Sequence, residues 1–311
     1  MSRKNLVLGI ILVALIVVVY LYQGPGQNRE ENNNFLTDLK VDQVDKMEII
    51  RKGTSTVLTK EGENKWKVEG EGDFYVQESV AKEFISKMDN LTQTDFELRS
   101  TNKDKKSEFR TNEENGSVVK MYDQGEQVAD FIVGSLDPST FNNTYISRPD
   151  SAETYAAQGV EMSSFILRED WRSKVIFDTS KDKLSKLRFQ YPDQEFTVEK
   201  QQGEEGTQWQ GTVPREFPVS EDKIQKVADV MTDLEAAKIP EQTFEGTGLS
   251  KHLIIVEATG DGMENTLMVG EKDGEQGDRT LYYAKKASSD NVYLITEEQR
   301  NTLKQTIEGL K

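Results

Sequence analysis

The chain of 311 residues is long enough for two domains of ordinary size, and its three Trp, ten Tyr and thirteen Phe exclude wholesale disorder. Formal net charge is −16; Arg3 and Lys4 contribute +2 ahead of Gly24, which leaves −18 on the remainder and excludes a nucleic-acid partner. That acidity serves solubility, or else marks a docking surface for a basic partner or divalent cations. The chain has no cysteine, which excludes disulfides, thiol catalysis, thiolate metal sites and a lipid-modified N-terminal cysteine, but leaves the compartment open.

Taken in chain order, the first element is the uncharged apolar run from Leu6 to Tyr22. Its seventeen residues, at about 1.5 Å each, span roughly 25 Å, near the lower limit for a bilayer core. Tyr20 and Tyr22 fall where interfacial aromatics sit, and Gly24-Pro25-Gly26 breaks the helix beyond them. Basic residues flank only the N-terminal side, so the N-terminus is expected in the cytoplasm and the body outside it. The competing reading is a cleaved signal peptide, but the run is long for an h-region and ends in bulky residues instead of an A-x-A-like site. Residues 1–23 are therefore expected to form a transmembrane anchor, and residues 24–40 a polar, flexible tether.

The body then repeats itself. VDKMEIIRKGTSTVLTK and LSKLRFQYPDQEFTVEK both alternate apolar and polar residues around a Gly or a Pro-Asp, a hairpin pattern, and Trp66 and Trp209 close the two openings. One amphipathic helix follows in each copy, with Val80, Phe84, Met88 and Leu91 in the first and Ile224, Val227, Met231 and Leu234 in the second. Ser220 is the expected N-cap of the second helix. Val76 and Val219, Met88 and Met231, and Leu91 and Leu234 are all 143 positions apart. VVKMYDQGEQVADFIVG and LIIVEATGDGMENTLMVG predict a second hairpin running into Gly134 or Gly270, and TYISRPDSAETYAA and LYYAKKASSDNVYLI a third. A short helix ends each copy: Met162 to Leu167 in the first, and in the second a helix with capping-box spacing at Thr296 and Gln299 and an apolar face of Leu303, Ile307 and Leu310.

The expected fold class is α+β: a transmembrane helix followed by two tandem repeated domains, each an antiparallel sheet with one main amphipathic helix and a short terminal helix. The first repeat is placed at 41–169, a connector at 170–182 and the second repeat at 183–311.

Several features taken together resemble a known family: the N-terminal span, a strand-rich start ending in Trp, the helix, the strand ending in Val-Gly, the Asp170-Trp171-Arg172 segment, and Thr247-Gly248-Leu249-Ser250 ahead of a strand. This order is similar to that of the bacterial proteins grouped as domain of unknown function 4340. The likeness covers the body from about Val41 onward, and departs from the pattern at Glu108 to Val118, where no Gly-Leu precedes the strand. Members are often encoded beside ABC-type export systems related to gliding-motility transporters. The resemblance therefore implies a periplasmic or cell-surface accessory to a transporter, and it supplies no catalytic residues.

A search for chemistry gives no catalytic, cofactor-binding or metal-ligating residue. His252 has no nucleophile context around it, and its reading is a structural or surface histidine. The segment from Gly270 to Arg279 lacks the Lys-Ser/Thr of a phosphate-binding loop. Asp261-Gly262-Met263-Glu264 and Asp273-Gly274-Glu275 carry carboxylates without EF-hand spacing and read as solvated turns. Trp66 and Trp209 read as repeat-equivalent core residues, with a sugar or peptide platform as the alternative, and Trp171 as a residue that packs the domains together. Asn90, Asn115 and Asn142 match the N-x-[ST] sequon but are expected to be incidental in the bacterial setting that the resemblance implies. The expected function is that of a non-enzymatic, membrane-anchored, extracytoplasmic accessory or scaffolding subunit. Its expected partners are the membrane and ABC-type permease subunits. The alternative is a ligand-binding module with a peptide, glycan or lipid site between the domains.

Overall fold

The structure, a computed structural model, describes residues 33–70, 72–203, 206–274 and 279–311. The expected anchor from Leu6 to Tyr22 lies outside the described residues, among which no helix is long and apolar enough to cross a membrane.

The first copy opens with β1 (Lys46–Arg51), β2 (Thr54–Lys60), β3 (Trp66–Val68) and β4 (Phe74–Tyr75). Lys52 and Gly53 both take positive φ, the geometry of a two-residue hairpin turn, and place Arg51 opposite Thr54. Next comes α1 (Glu78–Gln93), followed by β5 (Phe96–Ser100), the single turn α2 (Lys106–Phe109), β6 (Ser117–Asp123), β7 (Glu126–Leu136), β8 (Thr144–Ser147), β9 (Thr154–Ala157) and α3 (Ser163–Ile166). The strands form one nine-stranded antiparallel sheet in the order β4-β3-β2-β1-β6-β7-β8-β9-β5. Ala81, Phe84, Met88 and Leu91 bury one stripe of α1 against this sheet, whereas Val80, expected on that stripe, is only partly buried. The spacing from Ala81 keeps the side chains on one face of a 3.6-residue helix, and Val80 sits just off it.

After the connector strand β10 (Val175–Asp178), the second copy repeats the plan with β11 (Leu184–Gln190), β12 (Glu195–Gly203), β13 (Gly206–Val213), β14 (Phe217–Pro218) and α4 (Glu221–Thr232). Then follow β15 (Asp233–Glu235), β16 (Ile254–Gly260), β17 (Met263–Lys272), β18 (Leu281–Lys286), β19 (Tyr293–Thr296), α5 (Glu297–Leu303) and α6 (Ile307–Leu310). Its sheet has eight strands, β14-β13-β12-β11-β16-β17-β18-β19. Two tandem domains of antiparallel sheet with a few helices is thus the architecture.

Four local expectations need correction. The second helix stops at Thr232, so Leu234 lies on β15, which pairs with β10. The Thr232 carbonyl accepts from Thr179 N at 2.8 Å and its hydroxyl donates back to Ala228 O at 2.7 Å, which turns the chain out of the helix. Ser220 occupies the N-cap position of α4, but its side chain makes no cap bond. The capping box at Thr296 and Gln299 forms, yet the C-terminal helix is split into α5 and α6. The Tyr191 hydroxyl enters the break, donating to Leu303 O and accepting from Gln305 N, both at 2.8 Å. Finally, the expected tether over 24–40 runs too far along the chain, because residues from Asn34 onward are already packed. The Asn34 amide donates to Leu91 O and Thr94 O at 2.8 Å each, at the C-terminal end of α1, and Leu36 is buried.

Phe35 packs edge-on against Phe96 and Tyr155 beside this staple. Burial, with a hydrogen bond to Glu153, pushes the Tyr155 phenol up from 10.0 to about 12. The folded state therefore holds that proton more tightly than the unfolded chain does. The stability linked to it is complete below pH 10 and is lost as pH rises through 12. Urea midpoints should fall between pH 9.5 and 11.5 in the wild type, and fall less in Tyr155→Phe.

Candidate functional site

The two copies meet where the outer edge of the first sheet reaches the β18–β19 turn. Asp73 N donates to Asn291 Oδ1 at 2.7 Å and Asn291 Nδ2 donates to Asp73 O at 2.8 Å, so one buried side-chain amide imitates a strand pairing. Beside it the Phe74 and Tyr293 rings pack edge to face, with centroids 5.7 Å apart. The Asp170-Trp171-Arg172 run braces this contact from the connector. Trp171, only 3% exposed, lies against Phe84 and stacks on Phe165 in the first core. Arg172 lays its guanidinium 5.3 Å over the Phe74 ring and is held by Asp170 through two charge-assisted bonds of 2.8 and 2.9 Å. Burial acts to raise the Asp170 carboxyl, but the Arg172 bonds win and hold it below the usual carboxylate range. Ser173 N then donates to Tyr75 O at 2.7 Å.

Next to this joint a cleft of about 650 Å³ opens between the copies. Its walls include Gln77 and Lys82 from the start of α1, Val175 and Asp178 from β10, and Lys286 and Ser289 from the second copy. Lys82 is paired with Glu78 at 2.6 Å. No aromatic face is open here, since Phe74 and Tyr293 are buried and the Lys65 ammonium covers the Tyr75 ring at 4.2 Å. A lining of mixed charge and hydroxyls suits a polar or extended ligand better than a lipid chain. A smaller hollow of about 330 Å³ lies between Phe35, Leu39 and Val128.

The residues singled out in the sequence are scattered. Trp66 and Trp209 are buried, each directly across a strand pair from a lysine, Lys60 or Lys200, whose ammonium lies 5.9 or 5.4 Å from the ring. His252 is exposed, with φ 51. The Asp273 carboxylate accepts from the Tyr283 hydroxyl at 3.0 Å, and no group of His, Asp or Glu among the described residues is arranged to hold a metal ion. Of the segment from Gly270 to Arg279, residues 275–278 lie outside the described residues. Nothing in the sequence marks the junction pair Asp73 and Asn291, as each is one polar residue with no motif around it. Asn291→Ala should loosen the joint: we expect faster proteolysis within 170–183, and about 1–2 kcal/mol lost in urea unfolding from two broken bonds.

A family model described as domain of unknown function 4340 (DUF4340) matches residues 66–208 and again residues 209–311. The chain belongs to the DUF4340 family. Both DUF4340 segments begin on the repeat-equivalent tryptophans, Trp66 and Trp209, the same 143 positions apart as the helix residues. Neither a search of curated proteins nor one of solved structures found a match.

Proposed function

We propose that this DUF4340 chain is a non-catalytic, membrane-anchored, extracytoplasmic accessory subunit, with the run Leu6 to Tyr22 as its single span and an ABC-type permease as its partner. One observation carries the reading furthest. The body is already packed at Asn34, with only eleven residues between it and the end of the apolar run, so the body is kept beside the membrane that the run would enter. The ABC-type partner rests on the family resemblance. Full-length protein purified from its host in mild detergent should bring permease and ATPase subunits with it; recovery from the membrane without them would sink the accessory role.

The second reading is a ligand-binding module, favoured by the cleft of about 650 Å³ at the junction. Its buried or covered aromatics speak against a glycan platform and leave a peptide as the better candidate. Retention of a peptide mixture by wild type, lost in a variant carrying Asp178→Lys and Lys286→Glu, would favour this reading over the first.

A further inference from the structure

The two places where α1 is held determine which copy faces the membrane. At its C-terminal end, Asn34 ties the incoming chain to Leu91 O and Thr94 O. At its N-terminal end lies the joint to the second copy, because Asp73 and Phe74, five and four residues before the helix starts at Glu78, contact Asn291 and Tyr293. The sixteen residues between these ends span about 24 Å. The entry point of the chain and the attachment of the second copy are therefore on opposite sides of the first copy.

We infer that the first copy is the membrane-proximal half, and that its end at the C-terminus of α1 is the surface available to an integral membrane partner with short extracytoplasmic loops. That end carries Phe35, Leu39, the β6–β7 turn and the exposed Val128. The second copy is carried away from the bilayer. The inference rests on the proposed anchor. Residues 23–33 reach at most about 40 Å even when fully extended, so the point where the chain enters the first copy stays within that distance of the bilayer, whereas the second copy is attached a helix length of about 24 Å away from that point.

The absence of cysteine makes the test direct. Full-length Val128→Cys and Ser250→Cys variants would each carry one donor dye and be reconstituted into phosphatidylcholine–phosphatidylglycerol vesicles containing a headgroup acceptor dye. Ser250 is exposed on the turn leading into β16, at the end of the second sheet remote from the β18–β19 turn. Energy transfer should be about threefold or more higher from position 128 than from position 250, given the tether's limited span. Comparable transfer from both positions, or stronger transfer from 250, in protein that floats with the vesicles overturns the orientation and leaves the anchor standing. Protein that does not float with the vesicles overturns the anchor, and the orientation with it.

Discussion

Gly270→Ala is expected to destabilise the fold by about 3 kcal/mol, because the new methyl has no room to move into. A Cβ at Gly270 would stand 2.1 Å from Thr247 O and 3.0 Å from Leu249 N, and both are backbone atoms. The crowding is built in, since Glu271 N donates to that same Thr247 oxygen at 2.8 Å and ties the loop before β16 down onto β17. Gly134 plays the same part in the first copy, where a Cβ would lie 2.3 Å from Phe109 O. The side chains preceding these glycines, Val133 and Val269, point into the core beneath the helix, so the glycines face the other side of each sheet. There a loop backbone can press directly on the strand. Gly274→Ala, with nothing within 4 Å of the added atom, is the control and should stay within about 0.5 kcal/mol. Urea unfolding of the two variants decides: a Gly270→Ala midpoint equal to that of Gly274→Ala would show that the loop yields freely.

Lys106→Met should cost a comparable amount, about 3 kcal/mol. Lys106 is only 4% exposed, and its ammonium donates to Arg148 O and Ser151 O at 2.9 Å and to Pro149 O at 3.4 Å. Burial, with Lys103 nearby, pushes its pKa below the ordinary lysine value, while the three carbonyls favour the charged form. Methionine keeps the apolar stem but strands those carbonyls, each worth about 1–3 kcal/mol if left wholly unsatisfied. Partial access of water to the β8–β9 turn reduces the total. Lys105→Met, one residue earlier and exposed, should leave the urea midpoint unchanged. Equal effects of the two substitutions would mean that the turn does not depend on the buried ammonium.

Patterns that repeat every two or every 3.6 residues are legible in the sequence itself. The hairpins at Lys52-Gly53 and Gln124-Gly125, the stripe of Phe84, Met88 and Leu91, and the duplication itself all depend on neighbours close in sequence. What could not be read depends on partners far apart. The end of α4 is set by β10, more than fifty residues upstream, and the break before α6 by Tyr191, 112 residues from Leu303. The joint between the copies links positions 218 apart through one amide, and nothing around Asp73 or Asn291 announces it. The Asp170-Trp171-Arg172 run was visible as a segment, but its division of labour was not: Trp171 serves the first core while Arg172 serves the joint.

Heredity and folding count the units of this chain from different starting points. The boundary between the two matched family segments falls between Gln208 and Trp209, inside β13, and would part β11 and β12 from the sheet they begin. A dissection that respects the fold instead divides the chain between Ser173 and Lys174, after the last residue bonded to the first copy and before the segment that pairs with β15. Chimaeras that exchange single copies between relatives should be joined there, since a crossover at the seam of homology would require two foreign half-sheets to match register along β12 and β13.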